Sequence, residues 1–120
     1  MAISKVLVVD DSPAELNNIK AIVSETGVAV VTASNGRDAL NVAKTEKPDV
    51  IFLDVVMPEM DGFATCRELR GDAATRGIPV IFVTSKDQKA DRLWAEMQGA
   101  RAYITKPYQP DEIVDQLKAL

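Results

Sequence analysis

The chain alternates short apolar runs with stretches that carry a helical pattern, and this alternation restricts its possible folds more than any other feature. Runs rich in Val and Ile occur at 5–9 (KVLVV), 28–33 (VAVVTA), 50–53 (VIFL), 79–84 (PVIFVT) and 102–105 (AYIT). Near-continuous apolarity of this kind favours strands that are covered on both faces. Strands that alternate with helices predict an α/β fold of the (βα)5 type, a doubly wound five-stranded parallel sheet with helices on both faces.

Each apolar run is followed by a window with helical signals. The first window is the clearest, because Ser12-Pro13-Ala14-Glu15 has the S-x-x-E spacing of a capping box with proline at the first helical position. The other windows begin after Asn35, after Asp61-Gly62, near Asp87 and at Pro110. In the third window Cys66 lies on the apolar side, so we interpret it as a small core residue rather than a reactive thiol.

Length and composition exclude several classes of protein. The 120 residues fit one domain, so we expect residues 1–120 to form a single domain without an output domain, although a domain cut from a larger regulator would look the same. A net charge of −4 argues against a nucleic-acid binder, and the absence of His excludes Ser-His-Asp hydrolysis. A single Cys, no signal-peptide pattern and no long apolar run predict a cytoplasmic protein without a membrane segment.

Polar residues follow the apolar runs where the predicted strands end. They are Asp10-Asp11, Ser34, Asp54, Thr84-Ser85 and Lys106. Ligands of open α/β sheets bind outside the carboxyl ends of the strands. Carboxylates are oxygen ligands suited to Mg²⁺, whereas Lys and Thr suit a phosphoryl group. Each residue alone fits an ordinary loop or strand end, but together they favour Mg²⁺-assisted phosphoryl transfer to a carboxylate nucleophile.

Four sequence blocks resemble one protein family. VLVVDDSP, FLDVVMPEMDGF, VIFVTS and AYITKP, in this order, are similar to the motifs of the bacterial two-component response-regulator receiver domain. The resemblance covers essentially the whole chain, and the tract TSKDQKADRLWAEMQGARAYITKP is most similar to stand-alone receivers of the chemotaxis or twitching-motility type. It implies a flavodoxin-like sheet with the strand order 2-1-3-4-5.

The resemblance also implies roles for the site residues. Asp54 would be the phosphoacceptor, which takes its phosphoryl group from a sensor histidine kinase or a phosphotransfer domain. Asp10 and Asp11 would hold the cofactor Mg²⁺ together with Asp54 and the backbone carbonyl of Val56. Lys106 would pair with the phosphoryl group and offset part of its charge.

Further implied residues concern switching. Thr84 would donate its hydroxyl to the phosphoryl group, and the ring of Tyr103 would move with it, changing a surface made of the fourth helix, the fifth strand and the fifth helix. The peptide bond before Pro107 is expected to be cis. The partner of this surface is another protein rather than nucleic acid or a membrane, and the chain itself is expected to be a monomer or a weak dimer.

Two other functions fit parts of the pattern. Phosphatases with an aspartyl-phosphate intermediate also carry an Asp at a strand end, but they usually have a second Asp two residues on, where this chain has Val56. A scaffold that binds partners without phosphorylation is disfavoured by the complete set of site residues.

The rate at which the phosphoryl group is lost depends on residues that border the expected site, and these include Val56 and Lys86. Because the Val56 side chain cannot orient a water molecule, we predict slow self-dephosphorylation. The protein is then a switch and not a turnover enzyme.

The fourth helical window leaves one question open. Ala90, Leu93, Trp94 and Met97 recur at i, i+3, i+4 and i+7, which predicts a single apolar stripe. The stripe either faces the core or places Trp94 on the surface as an anchor for a partner.

Overall fold

The computed structural model of the protein describes residues 3–120, which form five strands and five helices in strict alternation. The strands are β1 (Lys5–Val9), β2 (Ala29–Ala33), β3 (Val50–Leu53), β4 (Val80–Thr84) and β5 (Ala102–Thr105). The helices are α1 (Pro13–Ser24), α2 (Gly36–Glu46), α3 (Gly62–Gly71), α4 (Lys89–Met97) and α5 (Pro110–Ala119). The predicted order of elements is confirmed, although α4 begins two residues later than expected.

All strands are parallel and lie in the order β2-β1-β3-β4-β5, which confirms the predicted fold class. Val9 pairs with Leu53, Leu53 with Phe82, and Thr84 with Thr105. Because the register is nearly flush, the carboxyl ends of β1, β3, β4 and β5 meet at one edge of the sheet.

Two apolar clusters fill the space on either side of the sheet. One joins the sheet to α2, α3 and α4, and the other joins it to α1 and α5. The inner strands β1, β3 and β4 are buried almost throughout, whereas β2 and β5 are partly exposed. These two strands lie at the edges of the sheet and lack a neighbour on the outer side, but both of their faces pack against the apolar clusters, as expected.

The start of α1 differs from the predicted capping box. The Ser12 hydroxyl accepts from the Glu15 amide at 3.4 Å, as a cap should. The reciprocal bond is absent from the described residues, because the Ser12 amide donates to Asp10 Oδ1 at 2.9 Å and the Glu15 carboxylate lies 3.6 Å from Lys106 Nζ. The Ser12 amide and the Glu15 carboxylate, which would bond to each other in a capping box, thus interact with Asp10 and Lys106 instead.

Cys66 is fully buried in the cluster that joins α3 to the sheet, as expected for a core residue. Burial raises the pKa of its thiol, which keeps the thiol protonated. Among the described residues, none of the helices is both long and apolar enough to cross a membrane.

Candidate functional site

The backbone itself brings the polar residues at the strand ends together. Asp54 follows β3, and its amide donates to the Val9 carbonyl of β1 at 3.0 Å. The Lys106 amide donates in the same way to the Thr84 carbonyl at 2.8 Å. The hydrogen-bond ladders therefore continue one residue beyond the strands, which fixes the Cα positions of the site residues with the precision of the sheet.

Three carboxylates converge at this edge. Asp10 is 1% exposed and Asp54 is 6% exposed, whereas Asp11 is open to solvent. One oxygen of each carboxylate lies within 4.8 Å of the others. Two buried acids this close are costly to keep ionised unless a positive group balances them.

Lys106 supplies that positive charge. Its Nζ lies 2.8 Å from Asp10 Oδ2, 3.6 Å from Asp54 Oδ2 and 3.6 Å from Glu15 Oε2. Burial on its own lowers the pKa of Lys106, but the Asp10 hydrogen bond and the charges of Asp54 and Glu15 outweigh it and raise the pKa above its usual value. The ammonium thus stays charged and shared among three acids.

The two oxygens of Asp54 have different surroundings. Oδ1 accepts from the Val55 amide at 2.7 Å and from the Val56 amide at 3.4 Å, whereas Oδ2 lies toward Lys106. Burial raises the pKa of this carboxyl, and the nearby Asp10 charge adds to the rise against the opposing effects of Lys106, Thr84 and the Val55 amide. The backbone amides therefore orient the Asp54 carboxylate through Oδ1, and Oδ2 is the oxygen that is available to react.

Gly62 is a structural requirement of the site. A Cβ atom at this position would overlap the Asp54 carbonyl oxygen and lie 2.8 Å from Val55 Cα. The Gly62 amide donates to the Val55 carbonyl at 2.8 Å, which packs the first turn of α3 directly against the backbone of the site. This close packing against the backbone explains the need for glycine at position 62.

The side chains of Thr84 and Tyr103 both form hydrogen bonds with the backbone of Lys86. The buried Thr84 hydroxyl accepts from the Lys86 amide at 3.3 Å, and the Tyr103 hydroxyl donates to the Lys86 carbonyl at 2.6 Å. Burial, with the Asp91 charge, raises the pKa of Tyr103 to about 12, so the phenol stays a donor. The Arg92 guanidinium lies 5.0 Å from the centre of the Tyr103 ring.

The remaining predicted residues lie at the rim. Val56 is 52% exposed, and the Lys106–Pro107 peptide bond is cis. The Lys86 ammonium lies 3.9 Å from the Asp91 carboxylate of α4. Sequence reasoning missed two contributions, the backbone of Lys86 and the carboxylate of Glu15. Glu15 lies in the first turn of α1, which begins directly after the Asp10-Asp11 pair, and this position was the available signal.

The arrangement can hold a small hard cation and a phosphoryl group. The donor set of Asp10, Asp11 and Asp54 fits Mg²⁺, because carboxylate oxygens are its preferred protein ligands and the exposed Asp11 leaves room for the waters that Mg²⁺ keeps. The Lys106 ammonium, 3.6 Å from Asp54 Oδ2, is placed to interact with an anion attached to Asp54.

Comparison with known proteins gives a consistent result. The family model described as "Response regulator receiver domain" matches residues 6–118. Protein PilH of Pseudomonas aeruginosa is 44% identical over 117 residues, which cover 98% of this chain and 97% of PilH. Several other curated relatives are longer, and the chain spans only 23% to 48% of their length.

Solved structures show the same likeness. The chemotaxis protein CheY4 of Vibrio cholerae superposes with a TM-score of 0.91 at 30% identity, covering 98% of both chains. The receiver domain of the sensor histidine kinase PA1611 from Pseudomonas aeruginosa gives a TM-score of 0.89 at 28% identity and covers 98% of this chain and 97% of that one. That structure holds a magnesium ion in its active-site cleft.

Proposed function

The chain belongs to the response regulator receiver domain family, and from this premise we propose that it is a phosphorylation switch whose phosphoacceptor is Asp54. The observation that supports this role best is the joint placement of Asp54, two further carboxylates and the Lys106 ammonium at one edge of the sheet. A histidine kinase or a phosphotransfer domain is the expected donor, as for receiver domains in general.

The geometry supports Asp54 Oδ2 as the attacking oxygen. Oδ1 is held by two backbone amides, so the carboxylate cannot rotate freely, and Oδ2 is directed toward Lys106. In the transfer a bond forms between Oδ2 and phosphorus, while the bond from phosphorus to the donor breaks and the donor keeps the electron pair. Lys106 then pairs with the new phosphoryl oxygens, which offsets their charge.

We propose that Asp10, Asp11, Asp54 and the backbone carbonyl of Val56 hold Mg²⁺ during this reaction. When bound, the ion supplies positive charge that neutralises the phosphoryl oxygens. The support for this set is the spacing of the three carboxylates, together with the magnesium ion in the cleft of the PA1611 receiver domain.

The switch itself is proposed to run through Lys86. Thr84 and Tyr103 both bond to the Lys86 backbone, so a Thr84 hydroxyl that turns to a phosphoryl oxygen releases one of the two anchors of this loop. Tyr103 and Arg92 then readjust on the surface formed by α4, β5 and α5. This surface is the proposed contact for the downstream protein.

A role in motility or chemotaxis-like control is part of the proposal. It rests on the near full-length likeness to PilH and on the likeness to the chemotaxis protein CheY4. Action through protein contacts without an output domain is proposed on the same ground, and the longer relatives show that similar domains also occur within larger proteins. A cytoplasmic location is proposed because the single Cys66 is a free, buried thiol that suits a reducing compartment.

The decisive experiment is incubation with Mg²⁺ and acetyl phosphate, followed by intact mass measurement. We expect one added phosphoryl group on the wild type and on Asp115→Ala, a control at an exposed acid of α5, but none on Asp54→Ala. An unmodified wild type would overturn the proposal in favour of a scaffold. Continuous phosphate release from phosphate esters would instead make the protein an enzyme.

A further inference from the structure

One acid beside the site has no part in the reaction proposed above. Glu15 lies in the first turn of α1, and its Oε2 lies 3.6 Å from Lys106 Nζ. The Glu15 side chain is 41% exposed, whereas the side chains of Asp10 and Asp54 are 1% and 8% exposed. Of the three acids around Lys106, Glu15 is therefore the one that contacts both the ammonium and bulk water.

The loop that carries Lys106 is fixed to the same part of α1. The Asn18 side-chain amide donates to the hydroxyl of Tyr108 at 2.8 Å, two residues beyond Lys106. Because Asn18 lies three residues after Glu15, both side chains leave α1 on one face. A cleft of about 360 Å³ between α1 and the loop is lined by Glu15, Asn18, Lys106, Pro107 and Tyr108. The contact between Glu15 and Lys106 thus joins two elements that are held together independently of it.

Glu15 occupies a position on Lys106 that a phosphoryl group needs. The ammonium has three N–H donors, and Asp10 Oδ2 accepts one of them at 2.8 Å. A phosphoryl group bonded to Asp54 takes up the donors that point toward Asp54 and Glu15. The half-exposed Glu15 carboxylate can turn into water at little cost, since an exposed ion pair contributes little free energy. It therefore competes with the phosphoryl oxygens for Lys106 and gives way to them.

Resting on the proposed function, we propose that Glu15 determines which class of phosphoryl donor reacts with Asp54. A carboxylate beside Lys106 repels a donor more strongly the more negative charge the donor carries. A donor whose phosphorus is bonded to a protonated nitrogen, such as the phosphorylated imidazole of a histidine, has one negative charge fewer than an acyl phosphate. Glu15 therefore favours the nitrogen-linked donors and protects Asp54 from small acyl phosphates.

The two donor classes undergo the same transfer but release different products. Asp54 Oδ2 forms a bond to phosphorus, and the bond from phosphorus to the leaving atom breaks with its electron pair going to that atom. An acyl phosphate releases a carboxylate anion, whereas a protonated nitrogen takes up the pair and leaves as a neutral amine or imidazole. The leaving group ends with a negative charge only in the acyl case, which adds to the repulsion by Glu15.

The test compares acetyl phosphate with phosphoramidate, whose nitrogen is protonated at neutral pH. Intact mass gives the second-order rate constant of phosphorylation for each donor, at a Mg²⁺ concentration that saturates the variant. At low ionic strength we expect Glu15→Gln to raise the constant about fivefold for acetyl phosphate and about twofold for phosphoramidate. The ratio of the two constants should thus rise about 2.5-fold, and any difference in Mg²⁺ binding cancels in this ratio.

Further variants separate the charge of Glu15 from a structural role. Glu15→Asp keeps the charge and should retain the wild-type ratio, whereas Glu15→Lys should raise the ratio beyond that of Glu15→Gln. Glu25→Gln removes the same charge at the exposed far end of α1 and should change neither constant. High salt should return the ratio of Glu15→Gln toward the wild-type value, because it screens the charge. A residue that only supported the fold would change both constants by one factor.

The outcomes distinguish this inference from the proposed function. An unchanged ratio in Glu15→Gln would overturn the inference while leaving Asp54 as the phosphoacceptor. An equal change of the ratio in Glu25→Gln would also overturn it, because the effect would then belong to the net charge of the protein. A wild type that accepts a phosphoryl group from neither donor would overturn the proposed function and this inference with it.

Discussion

The carboxyl edge of the sheet and the outer side of α4 both reverse the usual distribution of polar and apolar groups, but in opposite senses. At the edge of the sheet, Asp10 and Asp54 place carboxylates inside the protein. On α4, Leu93 and Met97 place large apolar side chains in water. Either reversal costs stability relative to the ordinary arrangement and is therefore informative about function.

The two regions differ in how this cost is offset. The buried acids find their partners within the chain, namely the Lys106 ammonium and the Val55 and Val56 amides. The exposed stripe of α4 has no comparable partner among the described residues. The first region thus balances its charges within the chain, whereas the second leaves large apolar side chains in contact with water.

Replacing the charged residue of the first region by an apolar one, and an apolar residue of the second region by a charged one, should change the free energy of unfolding by very unequal amounts. Lys106→Met should lower the free energy of unfolding by about 2–4 kcal/mol, because it leaves the buried Asp10 carboxylate without its ammonium. Met97→Lys should change that free energy by no more than about 0.5 kcal/mol, since the side chain is already in water. Urea denaturation in metal-free buffer measures both, and equal losses would contradict the comparison.

Mg²⁺ should stabilise the protein through the sheet edge alone. At a concentration about ten times its dissociation constant, a ligand of the folded state adds about 1.4 kcal/mol, which raises the melting temperature by roughly 4–6 °C. Asp11→Ala should lose most of this gain, because it removes one of the three carboxylates. Thermal melts with and without Mg²⁺ test this, with Leu93→Ser as the control that keeps the full gain.

Neutralising Asp54 should raise stability in the absence of metal. The folded protein raises the pKa of Asp54, mainly by burial, so the ionised form at neutral pH opposes folding. Asp54→Asn should therefore melt at a higher temperature than the wild type at neutral pH.

This gain has a defined dependence on pH. As the pH falls through the raised pKa toward the unfolded value of 3.8, the wild-type carboxyl becomes protonated and the two melting temperatures should converge. Asp115→Asn on α5 is the matched control at an exposed acid. A gap that widens on acidification would contradict the direction of the pKa shift.

The smallest expected effect is kinetic. Val56 is exposed at the rim of the site but offers no group that could orient a water molecule. Val56→Asn should therefore speed loss of the phosphoryl group from Asp54 about threefold to fivefold, equivalent to about 0.6–1 kcal/mol in the barrier. Intact mass measured over time after removal of the donor gives the rate, and an unchanged or slower loss would contradict the role of this position.

Much of the site could be predicted because, in a parallel sheet, the positions of the site residues follow from the order of strands and helices along the chain and do not depend on side-chain conformations. Once five strands alternate with five helices, residues that follow β1, β3, β4 and β5 must lie at one edge, whatever their side chains do. The position of Glu15 could not be predicted in this way. Its interpretation as a capping residue was reasonable, but Asp10 occupies the amide that Glu15 would have bonded, and Lys106 attracts the free carboxylate.

Helices α3 and α4 show most clearly where the sequence is insufficient. Both carry apolar residues at helical spacing, yet α3 buries Phe63, Cys66 and Leu69 while α4 exposes Leu93, Trp94 and Met97. Periodicity measures how apolar residues cluster around a helix axis, but it carries no information about which side of that axis meets the sheet. Ala95 is small enough to let α4 lie close to the sheet, which turns the larger side chains outward.

The sequence by itself therefore determined the order of the elements, the parallel sheet and the set of residues at its carboxyl edge, because these follow from patterns along the chain. Only the tertiary structure decided which charges Lys106 shares, why residue 62 must be glycine, and which way α4 faces. Those outcomes depend on contacts between residues far apart in the chain, where the local pattern is satisfied by more than one arrangement.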